Sequence, residues 1–597
     1  MNYSKTTAIK DFTPFNDTQT NQQISPNIES RYQWEKTYEN LPGHVKGVPR
    51  GEGFTIFKIF IFLSTAIKGV IGLLTAQFLH LFPYLWNKLK KGEIVFTGTA
   101  DLGLMAILAD FNNWNNVEEF NEFFKPWTFF QKPDVAQNWQ SDIEFGRQRL
   151  NGMNPILIRK CKAEDIQADG NFAVTNEIIN PVRGKDIDLT SALAENRLYL
   201  LEYPIFENIM NAELEDQLGR YLQSPISLFY VDDQKQLVPI AIQLQDKTKK
   251  IFTPNSLPED WKAGKLAVAG ADVAYQGMIS HLLNTHLIIE PFAVTTNRKL
   301  SGQHILYQLL KPHFFNTLPI NNMARNVFLG RGGLFDNIGS LGYTGSNELL
   351  NRGYNGINHN GEKTEGLKFY QLALPYDLEQ REVEQLPNYY YRDDALLVWN
   401  AIKNYVSDVL RSHYKNDAEI ICDRQLQNWK DELLDNGNIN GLLPPDKSDQ
   451  LNTLDDLIDI ATIVIFTATA QHSAVNFGQY DYAAWIPNNP FAIYKPFLDL
   501  FKSESQNKAT LPQRLPNRLQ SIQQIVLVKA LTIAPPYSSK SLLTLTNPFS
   551  NPVAREAFHK FQINLGEIEA KISVRNTSVS QPYTYLLPSR IAQSIAI

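Results

Sequence analysis

Three histidines stand inside apolar, helix-patterned text, where an imidazole needs a partner. His281 and His286 lie in HLLNTHLIIEPF and His472 in ATAQHSAVNFGQY, out of ten histidines in 597 residues. A buried ring nitrogen with neither a hydrogen bond nor a metal costs roughly 1–3 kcal/mol. Taken singly, each reads as a satisfied core histidine; taken together with Asn476, they read as a metal site. His472 and Asn476 are i and i+4, about 400° around a regular helix, so their side chains sit only about 40° apart and share a target. His281 and His286 are i and i+5, about 140° apart on a regular helix and too divergent to share an ion. A π-type turn, with about 4.4 residues per turn, brings that angle to roughly 50°. The spacing therefore predicts a π distortion near Leu282 to Thr285 if a metal is held there. Three neutral imidazoles and an amide oxygen suit non-haem iron or manganese better than structural zinc. The two cysteines, Cys161 and Cys422, are far apart and in no CxxC pair, which removes disulfide frameworks and thiolate zinc. The donor set still lacks an anion.

Helical text must position these residues. The segment from Val268 to Leu300 carries the first two histidines, and Leu454 to Tyr480, apolar nearly all round after Leu457, carries His472 and Asn476 as a helix buried in a large body. Asp393 to Tyr414 repeats Leu396, Leu397, Trp399, Ile402, Tyr405, Val406, Val409 and Leu410 at spacings of three and four, an amphipathic helix. Strand-like text is short: Leu198 to Phe206, then Ser227 to Val231 and Pro239 to Gln245, the last two a predicted hairpin. The expected architecture is mainly α with small β elements.

The bulk figures narrow the partners. Hydrophobic residues make up 43% and charged residues 20%, with 32 Gly and 32 Pro, the balance of an ordinary folded protein. Lys and Arg number 56 against 62 Asp and Glu, a net charge of −6, so no basic surplus exists for a phosphate backbone and nucleic acid is not an expected partner. The opening residues contain no apolar signal core, which points to the cytoplasm. Residues 1–53 are polar and broken by Pro14, Pro26, Pro42 and Pro49, and read as a wrapping arm or a loose tail. Residues 54–92 are the most apolar part of the chain, interrupted by Lys58 and Lys68. Three readings stay open for them: a helix buried against the body, helices lying in a bilayer interface with Lys88, Lys90 and Lys91 at the headgroups, or a membrane span. Residues 93–597 form the expected catalytic body.

The motifs resemble the lipoxygenases, non-haem iron dioxygenases of polyunsaturated fatty acids. The stretch from Trp139 to Ile158 (WQSDIEFGRQRLNGMNPILI) is similar to that family's lead-in to the catalytic domain, His281 to Phe314 to its first iron-binding helix, and Ala468 to Tyr482 to its second. The ending SIAI is similar to the family's terminal isoleucine, whose main-chain carboxylate is an iron ligand. The resemblance covers residues 139–597 and implies a large helical lipoxygenase-type catalytic domain. It implies His281, His286 and His472 as ligands through ring nitrogen, Asn476 through its amide oxygen and Ile597 through its carboxylate, with one iron per chain rather than manganese. It implies Gln479 as a residue hydrogen-bonding toward the ligands and Ala324 as a pocket residue biasing the stereochemistry of oxygen insertion. Where the family has a glutamine four residues before its first histidine, this chain has Gly277, and Asn489 stands where many plant members have an arginine. The implied reaction converts a cis,cis-1,4-pentadiene and O2 to a hydroperoxide: ferric hydroxide abstracts a bis-allylic hydrogen, and oxygen then inserts. Plant and animal members carry a β-sandwich lipid-binding domain in front; residues 1–138 show no such strand series and resemble bacterial-type members. Residues 54–92 are then expected to serve as a helical extension contacting the membrane peripherally.

Two rival functions follow from the same text: a hydroperoxide isomerase or lyase on this scaffold, and a non-catalytic lipid-binding membrane protein. Hydrolase and nucleotide chemistry lack their signatures, since there is no HExxH, GxSxG or Walker A loop. The glycine-rich stretch Gly330 to Gly342 reads as a turn.

Overall fold

A computed structural model describes residues 26–35, 41–55, part of 58–90, and 112–597 apart from 129, 168–169, 245–248, 359–361 and 498–507. Two small sheets flank a helical body. Strands β1 (Trp34–Glu35) and β2 (His44–Val45) pair antiparallel. The second sheet runs β3 (Arg159–Lys160), β4 (Leu198–Glu202), β5 (Ile226–Val231), β6 (Leu237–Gln243) and β7 (Ile251–Phe252), each antiparallel to the next. The predicted hairpin is β5–β6, with Tyr230 opposite Val238. Pro239, which has no N–H to give the ladder, lies where the register shifts between Leu228 and Phe229. The predicted strand from Leu198 stops at Glu202, because Pro204 opens a short 3-10 turn instead.

The helices that matter for the site are α1 (Asp142–Asn151), α2 (Pro258–Tyr275), α3 (Ile288–Lys299), α4 (Thr317–Met323), α5 (Tyr390–His413), α6 (Leu454–Phe466), α7 (His472–Asn476) and α8 (Pro552–Asn576). Between α2 and α3 the chain winds as a π-helix over Gln276–Leu287, so one continuous rod runs from Pro258 to Lys299. A second π turn, Thr467–Gln471, joins α6 to α7, and a third, Ala324–Phe328, follows α4. Helix α5 clamps the second rod from one side, with Trp399 edge-on to Phe466 at 5.2 Å, and stacks Tyr405 on Phe561 of α8 at 4.5 Å. The run Leu454–Ala483 is long and apolar enough to cross a membrane, yet 89% of its most apolar window is buried in the body, as a central core helix requires.

The described part of the polar arm wraps the body. Arg298 donates to the carbonyls of Glu29 and Tyr32, the Trp34 indole donates to Glu432 at 2.6 Å, and the Val45 amide donates to Glu290. The described residues from Lys58 to Thr75 are helical. Their inner face carries Gly69, Gly72 and Leu73 against the body. A Cβ on Gly72 would stand 2.6 Å from the Thr128 carbonyl, so this helix approaches closer than any other side chain allows. Its outer face exposes Ile59, Phe60, Leu63, Ile67, Val70 and Ile71. Lys58 does not interrupt that apolar face; it points inward and is 4% exposed. Residues 92–111 lie outside the described residues, as do Lys88 and Lys91.

Candidate metal centre

The π winding of Gln276–Leu287 does what the five-residue spacing requires. Nε2 of His286 lies 3.1 Å from Nε2 of His281, and Nε2 of His281 lies 3.4 Å from Nε2 of His472, which arrives 191 residues later from α7. Ligand atoms of all three lie within 4.8 Å of one another, and all three rings are buried. Burial, and then the neighbouring rings, hold His281 and His472 well below the ordinary histidine range. Burial pushes His286 down to about 4, against the pull of Asn321 and Glu290. Three neutral imidazoles thus turn their nitrogens on one point. Single protons shared between pairs cannot satisfy all three lone pairs where Nε2 of His281, His286 and His472 converge. A cation at the common point satisfies the set, so the donors fit a metal ion.

A polar chain fixes His286. Its Nδ1 donates to Oδ1 of Asn321 at 2.8 Å, which leaves Nε2 as the lone-pair donor. Asn321 in turn donates to the His286 carbonyl at 2.8 Å and to Glu290 at 2.9 Å. Glu290 is fully buried and is forked by Arg325 at 2.7 and 3.0 Å. Sequence reasoning missed Asn321, Glu290 and Arg325. The signal available was Glu290 itself, a carboxylate in the apolar text of a core helix four residues after His286.

The other expected residues fall as follows. Ile597 is 1% exposed, and its main chain lies beside the His472 ring. Asn476 lies one turn beyond His472; its Oδ1 accepts from Gln479 at 2.7 Å, and its Nδ2 donates to the Leu531 carbonyl at 2.8 Å. The structure brings the three histidines together, places Ile597 on the wall of the same cavity as His281 and His286, and links Asn476 to Gln479 rather than to the histidine nitrogens. Gln479 is buried. Gly277 lines the cavity described below, and a Cβ there would meet nothing within 4 Å. Gln276, one residue earlier, donates to the Val475 carbonyl at 2.6 Å and so ties the two histidine rods together. In π winding the position five before His281 takes the place that i−4 has in an α-helix, and this shift explains why a search at i−4 passes it over.

Two of the three histidines, His281 and His286, line an apolar cavity of about 860 Å³, its open mouth included. His281, His286, Ala324, Phe328, Leu341 and Ile597 are among its walls. Ala324 is buried where α4 changes to π winding. Asn489 is also buried but is not a wall residue; its amide faces the Tyr482 carbonyl and Gln148. The glycine-rich stretch expected to be a turn is one only at Gly330–Gly333, and a short helix follows at Leu334–Ile338.

The protein-family model for lipoxygenases matches residues 19–583. The chain belongs to the lipoxygenase family. It is 32% identical over 521 residues to the polyunsaturated fatty acid lipoxygenase ALOX15B of Rattus norvegicus, covering 85% of this chain and 72% of that one. It is 29% identical to the allene oxide synthase-lipoxygenase protein of Plexaura homomalla, covering 98% of this lipoxygenase but only 54% of that longer protein. The solved structure of a calcium-dependent 11R-lipoxygenase superposes with a TM-score of 0.79 at 30% identity, over 96% of this chain and 79% of that one. The mainly α body described above is therefore the catalytic-domain fold of this family.

Proposed function

We propose that this lipoxygenase converts polyunsaturated fatty acids and O2 to hydroperoxides at a non-haem iron held by His281, His286, His472, Asn476 and the carboxylate of Ile597. The carrying observation is the meeting of three neutral imidazole nitrogens beside an apolar cavity that two of those histidines line. Iron held there supplies one-electron redox chemistry beside a carbon–hydrogen bond. The histidines bind through Nε2, and Asn321 keeps His286 in the tautomer that leaves this nitrogen free. Gln479 orients the Asn476 amide by donating to its oxygen. The apolar walls exclude water and hold an acyl chain in one register, so that a single doubly allylic carbon faces the centre. Ala324 narrows one side of that channel and favours oxygen entry at one end of the pentadiene. The balance is one fatty acid plus one O2 to one hydroperoxide.

The outer face of the Lys58–Thr75 helix exposes Phe60, Leu63 and Ile71, which suits peripheral contact with a membrane from the cytoplasm and capture of substrate there. Vesicle flotation of the full chain against Phe60→Ser/Leu63→Ser/Ile71→Ser is expected to show several-fold less binding for the triple variant.

Oxygen uptake with linoleate or arachidonate, alongside elemental analysis, tests the reaction. About one iron per chain with stoichiometric O2 consumption supports it. Similarity to the human hydroperoxide isomerase ALOXE3, 31% identical over 510 residues, favours one second reading. In that case iron is present, O2 is not taken up, and an added hydroperoxide is consumed. Protein without iron or manganese leaves only lipid binding.

A further inference from the structure

The tail that carries Ile597 is tied down in steps. The Ala592 amide donates to Oγ of Ser473 at 3.2 Å. Gln593 donates its amide to the Lys540 carbonyl at 2.9 Å and accepts from Nδ1 of His313 at 2.8 Å. Ser594 donates to the Phe315 carbonyl at 2.7 Å. Beyond Ser594 the chain has only buried apolar side chains, Ile595, Ala596 and Ile597, and apolar contact fixes depth better than direction. Among the described residues, Lys58 crosses from the other end of the sequence to this last stretch: its buried ammonium donates to the carbonyl of Ala596.

That contact carries an unusual cost. A buried ammonium loses its water, and a four-carbon stem loses rotamer freedom, so a lysine is rarely placed this way without strong polar compensation. The Phe54 ring, 5.3 Å from Nζ, supplies one further stabilising partner. A carbonyl is planar and accepts best near its own plane. Fixing the Ala596 carbonyl therefore fixes the peptide plane from which the Ile597 carboxylate extends.

Resting on the metal-centre reading above, we infer that Lys58 is a positioning residue of that centre: by holding the Ala596 carbonyl it sets where the Ile597 carboxylate meets the three imidazoles. The N-terminal helix is then part of the metal site as well as a surface attachment.

The test compares the full-length wild type with Lys58→Met, which keeps the stem and loses the donor, and Lys58→Arg, which keeps a cationic donor. The first readout is hydrogen exchange in the C-terminal peptide of metal-free protein. The second is the rate at which iron-loaded protein loses iron to an excess of ferrous chelator, with the electron paramagnetic resonance of the oxidised form. Lys58→Met is expected to speed exchange and iron loss about tenfold or more, the size seen when partners of metal ligands are removed, with Lys58→Arg restoring most of it. If Lys58→Met does not fold, Lys58→Leu makes the same comparison on a shorter stem without a donor. Iron retention and exchange equal to wild type would overturn the role of Lys58 and leave the metal centre standing. Faster iron loss without faster exchange in the tail, or no recovery in Lys58→Arg, would overturn it too. A wild type that takes up no metal overturns both.

Discussion

Single side chains divide into those that donate to the ion and those that hold the donors still, and substitutions separate the two. His472→Ala removes a nitrogen from a set that has no spare, and bound metal is expected to fall below about a tenth of an equivalent while the far-ultraviolet spectrum stays native. Asn321→Leu leaves every donor in place but frees the His286 ring to rotate or change tautomer. Metal affinity is then expected to fall about 10–100-fold, read by competition with a chelator. Equal losses in the two variants would contradict the distinction. His313 gives a test that needs no metal. Burial pushes it down to about 4 against its hydrogen bond to the Gln593 carbonyl. Between about 6.5 and 4 the unfolded chain therefore binds more protons than the folded one. The stability tied to neutral His313 is complete above that window and is lost as pH falls through it, roughly 2 kcal/mol between pH 7 and pH 5. Denaturant midpoints at both pH values should show a smaller fall for His313→Gln than for wild type.

Helices and turns show what the amino-acid order makes visible and what it hides. The π winding over Gln276–Leu287 is legible because two histidines at i and i+5 cannot face one ion on an α-helix. The π turn at Thr467–Gln471 is not, because no donor precedes His472 to reveal a change of phase. The hairpin and the amphipathic helix are legible from periodicity to within a few residues, at Ile226–Gln243 and Tyr390–His413. The Asn321–Glu290–Arg325 support is hidden, since its members come from different elements and only the fold joins them. Lys58 is misleading in sequence: it looks like a solubilising break in an apolar run, and the helix instead turns it inward while turning leucine and phenylalanine outward. The close approach at Gly72 likewise has no sequence signal beyond the glycine. Gly72→Ala forces a shift at the Thr128 backbone, which does not yield as a flexible side chain would. A loss of about 1–3 kcal/mol is expected, seen as a lower unfolding midpoint and faster protease cleavage between residues 58 and 75.

Across the whole molecule, the donors of the site are spread along almost the entire second half of the chain, and its arm and N-terminal helix are pinned to that same half. His281 and His472 meet over a separation of 191 residues, and Lys58 reaches Ala596 over 538. Loops of such length close late, since their entropy is repaid only when the intervening body has condensed. In refolding, uptake of metal should follow the slowest phase of tryptophan fluorescence and not the early gain of helix. The meeting of the first and last segments also gives occupancy a second meaning. A chain misassembled between these points does not bring the donors together, so bound metal reports that the first and last segments have met.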